Sequence, residues 1–185
     1  MKIPEFRVGP GYSPEELRSL RAGDEMELTG IVYTARDQVH RRLVDLLAAG
    51  SPVPLDLQGA ALYYTGAAPA PPGAVIGSCG PTTSARMDPF TPTLLERGVV
   101  VTIGKGPRSP AVTQAIRHHG AVYFHAYGGC GALYAERVVR CVRVGFDDLG
   151  PEAMLQLQVE GFPVIVGVDS VGGDLFSGIC RPGSR

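Results

Sequence analysis

The chain has 185 residues, 44% hydrophobic and 19% charged, and its 17 basic and 18 acidic side chains leave a net charge of −1. A chain of this length buries roughly two thirds of its unfolded surface, enough for one core without disulfide or metal staples, and near-neutrality excludes broad nucleic-acid or anionic-membrane binding. Met1 to Gly11 shows no signal-peptide pattern and no stretch approaches the roughly 20 apolar residues of a membrane span, so the expected location is the cytoplasm.

In chain order, Ser13-Pro14 predicts a helix closed by Gly23, with Glu16 completing a capping box. Ile31–Tyr33 reads as a strand. Thr34 is the expected cap of the longest helix, where Val39, Leu43, Leu46 and Leu47 recur at helical spacing before Gly50. Strand-like runs follow at Ala60–Tyr64 and Ala74–Ile76, then a short helix from Thr91-Pro92 to Gly98. Val99–Ile103 looks buried on both faces, as in a central strand. Ser109-Pro110 to Gly120 predicts a helix with Val112 and Ile116 on one side. Ala121–His125, Val138–Val144 and Val164–Val168 complete the strands, and Arg140 and Arg143 in the second of these imply a wetted face. The pattern is α/β: a single compact domain with a central mixed β region flanked by helices.

The 25 glycines and 16 prolines imply short elements joined by tight turns. The four cysteines, Cys79, Cys130, Cys141 and Cys180, include no CxxC pair and read as reduced thiols rather than a disulfide framework or a metal site.

Three cations, Arg36, Arg86 and Lys105, fall where a strand gives way to a helix, the place where backbone N–H groups and the helix dipole attract an anion. Arg36 in a first helical turn opposes the dipole unless an anion or a carboxylate such as Asp37 offsets it; the plain alternative is a solvated Arg36–Asp37 pair. Gly77 to Asp88 sets Thr82, Thr83, Ser84 and Arg86 in one loop. Hydroxyls and a guanidinium suit a carboxylate ligand, although Ser and Thr clusters also cap turns. Gly104-Lys105-Gly106 leaves room for close approach to an ammonium and lacks the Walker A spacing. Of the histidines, His118 and His119 suit the end of a helix, and His125 on an apolar strand reads as a core residue.

Four segments in order, Ala35-Arg36-Asp37-Gln38-Val39-His40, Gly80-Pro81-Thr82-Thr83-Ser84-Ala85-Arg86-Met87-Asp88, Gly104-Lys105-Gly106 and Gly128-Gly129-Cys130-Gly131-Ala132-Leu133, resemble the C-terminal catalytic domain of class I fumarases. That domain is shared with the β subunit of L(+)-tartrate dehydratase. The resemblance covers residues 23–178, leaving an N-terminal helical extension over 1–22 and a tail over 179–185, and it implies a swivelling β/β/α-type domain.

By the same resemblance the chain is the β subunit of a hydro-lyase that hydrates and dehydrates a small dicarboxylate reversibly, fumarate and malate first, tartrate or mesaconate otherwise. Thr82 is then the catalytic base, and Arg36, Thr83, Arg86 and Lys105 bind substrate, with Asp37, His40 and Asp88 in support. A threonine hydroxyl serves as a base only beside cations that stabilise its alkoxide. The family's 4Fe-4S cluster is expected on a separate α subunit in a heteromer such as α2β2, and this chain is expected to ligate no metal and to be inactive alone. The alternative is a non-catalytic anion- or dicarboxylate-binding regulatory module on the same fold. Both readings require Arg36, Arg86 and Lys105 to meet on one face, and the first expects an apolar surface beside it for the partner.

Overall fold

The computed structural model describes residues 3–177. Seven strands form one sheet in the order β1-β2-β3-β4-β5-β7-β6: β1 Glu5–Val8, β2 Glu25–Thr34, β3 Ala61–Tyr63, β4 Val101–Gly104, β5 Val122–His125, β6 Val138–Gly145 and β7 Met154–Val168. Strands β1 to β5 run parallel to their neighbours, and β7 is antiparallel to β2, β5 and β6. Because β7 pairs with β2 along one edge and β5 along the other, the run β2-β3-β4-β5-β7 closes into a ring.

Strand alternation divides the apolar residues between two cores. Ala61 and Tyr63, Val101 and Ile103, and Val122 and Phe124 point into the ring with Leu28, Leu157 and Phe162. Leu62, Tyr64 and Tyr123 point outward, where they meet Val39 and Leu43 of helix α2 (Asp37–Ala48), Leu94 and Leu95 of α3 (Thr91–Glu96), and Val112 and Ile116 of α4 (Pro110–His119). The expected mixed β region flanked by helices is what forms, and Val101, Thr102 and Ile103 are all buried.

Several boundaries depart from expectation. Ser13 caps helix α1 (Pro14–Ser19) by accepting from Glu16 N at 3.2 Å, but the helix stops at Ser19, where Leu20 is extended, and Gly23 lies in the turn into β2. Thr34 is the last residue of β2 and its hydroxyl accepts from Leu155 N at 2.9 Å, so Arg36 rather than Thr34 is the N-cap of α2. Phe90, not Thr91, caps α3. Ala74–Ile76 forms no strand: it follows Pro69, Pro71, Pro72 and Gly73, where prolines lack ladder donors and Gly73 has φ +81°. Sequence reading missed β1 and the early halves of β2 and β7. The first 22 residues contain a strand as well as a helix, and Phe6, Val8, Leu17 and Leu20 join the ring core. Cys180 and the expected tail over 179–185 lie outside the described residues.

Candidate functional site

The chain leaves the sheet after Tyr64 and returns at Thr82, where it occupies the space that a longer β3 would fill. Tyr64 N donates to Ile103 O at 2.8 Å, and Thr82 N donates to Tyr64 O at 2.6 Å. Lys105 N donates to Thr82 O at 3.2 Å, and Ser84 N to Lys105 O at 2.8 Å, so Thr83 pairs with Lys105 as a one-residue parallel bridge. The hydroxyl-rich loop thereby becomes a shelf across the C-terminal ends of β3 and β4, and the short 3-10 helix Ser84–Met87 carries it onward. Only glycine fits at the end of β4: a Cβ on Gly104 would lie 2.1 Å from Ser84 Oγ. Thr82 is half-buried and Thr83 exposed, and neither hydroxyl hydrogen-bonds another group among the described residues.

Arg36 and Asp37 enter the same edge from the end of β2. Asp37 accepts from Arg86 Nε at 3.0 Å and Nη2 at 2.7 Å, a fork-to-carboxylate pair that ties α2 to the 3-10 helix. The anticipated Arg36–Asp37 pair does not form. Arg36 lies over Gly66, where a Cβ would stand 2.8 Å from its Cδ, and its Nη2 is 3.6 Å from Glu152 Oε1. Arg36 Nε and Glu152 Oε2 are buried without a partner among the described residues. Lys105 runs along Gly128 and has no carboxylate within ion-pair distance among the described residues. Arg36, Thr82, Thr83, Arg86 and Lys105 thus share the C-terminal edge of the parallel strands.

The supporting residues sit beneath. His40 is fully buried, and its Nδ1 meets Arg36 O at 2.9 Å while its ring meets Tyr64 edge-on at 5.0 Å. Burial pulls its pKa down to about 4, with the Arg108 charge adding to the effect against the opposing pull of the Arg36 carbonyl and Asp37. His40 is therefore a neutral imidazole at pH 7. Asp88 faces inward, accepting from Arg108 Nε and Ser109 N, each at 2.7 Å. His125 is half-buried at the end of β5 rather than in the core, its Nδ1 accepting from Gly106 N at 3.2 Å. Sequence reading missed Arg108 and Glu152. Arg108 stands directly before the Ser109-Pro110 cap, the same cation-at-a-helix-start signal that singled out Arg36; Glu152 gave none.

Among the described residues, Cys79, Cys130 and Cys141 do not gather into a set that could hold an iron-sulfur cluster. Cys79 is fully buried, and burial together with Cys141 pushes its thiol up to about 12, so it is not a ready thiolate. No three His, Cys, Asp or Glu side chains gather to hold a metal among the described residues. No described helix is long and apolar enough to cross a membrane.

A strand ring flanked by helices, with two arginines, a lysine and adjacent hydroxyls on its C-terminal edge, defines an α/β domain. Its sequence matches the family model described as Fumarase C-terminus over residues 8–179, and the chain belongs to that family. It is 38% identical to "Fumarate hydratase 1, mitochondrial" of Leishmania major, over 88% of this chain and 30% of that protein. It is 35% identical to "Fumarate hydratase class I, anaerobic" of Escherichia coli, over 96% of this chain and 37% of that one. The chain therefore spans about a third of the length of these relatives. With "Putative L(+)-tartrate dehydratase subunit beta" of Methanocaldococcus jannaschii it shares 35% identity over 88% of this chain and 86% of the relative.

Proposed function

We propose that this chain is the β subunit of a cytoplasmic hydro-lyase that adds and removes water across the double bond of a small dicarboxylate, fumarate and malate being the first substrates to try. The observation that carries the reading is the shelf itself: Thr82 is fixed between the Tyr64 carbonyl and the Lys105 amide, on the edge that also carries Arg36 and Arg86. In this reading Thr82 takes the proton next to a carboxylate. Lys105, with no internal carboxylate partner among the described residues, and the unclaimed side of Arg86 stabilise the negative charge that then develops. Arg36 and Thr83 complete the grip on the substrate carboxylates.

Asp37 and Glu152 refine this picture. Two carboxylates beside three cations leave the edge one positive charge in excess, so a dianionic substrate is held by direct hydrogen bonds more than by bulk field. Asp37 takes Nε and one Nη2 hydrogen of Arg86, which fixes the fork and leaves Nη1 directed elsewhere.

Among the described residues the cysteines do not gather to hold the family's cluster, so the reading places that group on an α subunit. A mostly apolar hollow of about 290 Å³ is lined by Ala67, Ala68, Ile76, Ala153 and Leu155, with Arg143 on its wall. It supports a partner surface on that side.

Co-expression with a cysteine-bearing α partner, followed by hydration assays on fumarate and mesaconate and a dehydration assay on tartrate, tests the reading. Turnover by the complex and by neither chain alone is the expected result. A stable complex that binds these acids and turns over none of them would sink it in favour of the regulatory module.

A further inference from the structure

Beneath the shelf lies a polar network whose centre, Arg108, stands outside the motifs and has no part in the proposed chemistry. Arg108 has a side chain with 0% exposure. Its guanidinium donates to Asp88 Oδ1 at 2.7 Å, to Thr91 Oγ1 at 2.8 Å, and to Tyr64 Oη and Thr102 Oγ1 at 3.4 Å each. Its flat faces meet the rings of Tyr123 at 4.9 Å and Tyr64 at 5.3 Å. Tyr123 Oη donates to Gly106 O at 2.7 Å and lies 3.0 Å from Ser84 Oγ, which donates to it. One hydroxyl thereby bridges the loop carrying Thr82 and Arg86 to the loop carrying Lys105.

We propose that Arg108 and Tyr123 are positioning residues that lock these two loops in register, an inference that rests on the functional reading above. Stability alone does not call for such a network. Removing a guanidinium from water is costly, and apolar residues of similar volume commonly replace buried ion pairs without loss of stability. What apolar packing lacks is direction. Each donor of Arg108 is matched to a segment that abuts the shelf: Asp88 and Thr91 follow Arg86, Thr102 precedes Lys105, and Tyr64 accepts the Thr82 amide through its own carbonyl. A displacement of about 1 Å between base and substrate is enough to lower a rate on the order of a hundredfold, so such a frame acts on turnover before it acts on folding.

The test uses the reconstituted complex. Tyr123→Phe keeps the ring and its stack on Arg108 and removes only the bridge between Ser84 and Gly106. It is expected to lower kcat about tenfold with KM within about twofold of wild type, a split that loss of folded protein does not produce. Arg108→Lys keeps the cation without the planar fork, and is expected to restore most of the melting temperature lost in Arg108→Met while leaving turnover depressed. If the Arg108 variants do not fold, Tyr123→Phe decides alone. Wild-type kcat and KM in Tyr123→Phe, alongside an inactive Thr82→Val, would overturn the positioning role and leave the functional reading standing. Wild-type turnover in both would overturn the two together.

Discussion

Asp37 holds Arg86 through two hydrogen bonds of 3.0 and 2.7 Å across 49 positions of sequence, so this guanidinium is oriented by a carboxylate of the protein itself. The pair is open to solvent, with side-chain exposures of 52% for Arg86 and 29% for Asp37, and screening keeps its share in folding stability below about 1 kcal/mol. Asp37→Asn should therefore barely shift thermal unfolding. It should raise the KM for a dicarboxylate about three- to tenfold, because Arg86 must then be ordered at the moment of binding. An unchanged KM would show that Asp37 orients nothing.

Thr82→Val preserves the backbone bonds to Tyr64 and Lys105 and removes the hydroxyl. Turnover of the complex should fall by about 10²- to 10⁴-fold with substrate affinity nearly intact. Arg86→Met should instead weaken binding by about 1.5–3 kcal/mol, roughly tenfold or more. Steady-state kinetics separates the two patterns, and a fully active Thr82→Val removes threonine as the base.

His40 makes stability depend on pH with a definite sign. Its pKa falls from 6.5 in the unfolded chain to about 4 in the fold, so the unfolded state binds the extra proton between those values. Stability is complete above pH 6.5 and declines as pH falls toward 4, by about 3 kcal/mol at 1.36 kcal/mol per pH unit. His125, lowered by partial burial, acts in the same direction. Denaturant midpoints at several pH values should show this slope, and His40→Asn should flatten most of it; an equal slope in the variant would place the effect elsewhere.

The sequence disclosed the parts more readily than the frame. Ser109 and Gly120 bracket α4 as their cap chemistry dictates, the serine accepting from Val112 N and the glycine adopting φ +64°. Arg36 and Lys105 were legible because each stands just past the end of a strand, whereas Thr82 and Arg86 showed only through their hydroxyl-rich loop, since the strand expected before them at Ala74–Ile76 does not form. Thr34 misled because hydroxyls cap helices and also satisfy neighbouring strands, and here Leu155 N, distant in sequence, claims the oxygen. The Asp37–Arg86 and Arg36–Glu152 pairs were illegible for the same reason: local pattern says nothing of which distant carboxylate a cation will meet. The long β7 was seen only at Val164–Val168: Leu155–Glu160 alternates apolar and polar residues as a strand should, but Gly161 and Pro163 interrupt the run.

Gly104→Ala places a methyl group on Ser84 Oγ, so either β4 or the shelf must move. The expected loss is about 1–3 kcal/mol, as for overpacking elsewhere. Chemical denaturation measures it, and a neutral result would mean that the Ser84 side chain swings aside freely.

Thiol labelling of the folded chain should leave Cys79 unmodified until denaturant is added, because the side chain is fully buried and its pKa is pushed up to about 12. Mass spectrometry of the labelled protein identifies the site, and early labelling of Cys79 would show that the strand ring opens at rest.

The closing strand also sets a timetable for synthesis. Glu25 stands opposite Ile165 and Tyr33 opposite Gln156, so the ring cannot shut until Met154–Val168 has left the ribosome. Until then the nascent chain carries Val101–Gly104 and Val122–His125 as apolar strands with an unsealed edge, the period in which a chaperone has most to shield. During that interval the hydroxyls and cations of the shelf are already made while the scaffold beneath them is still open.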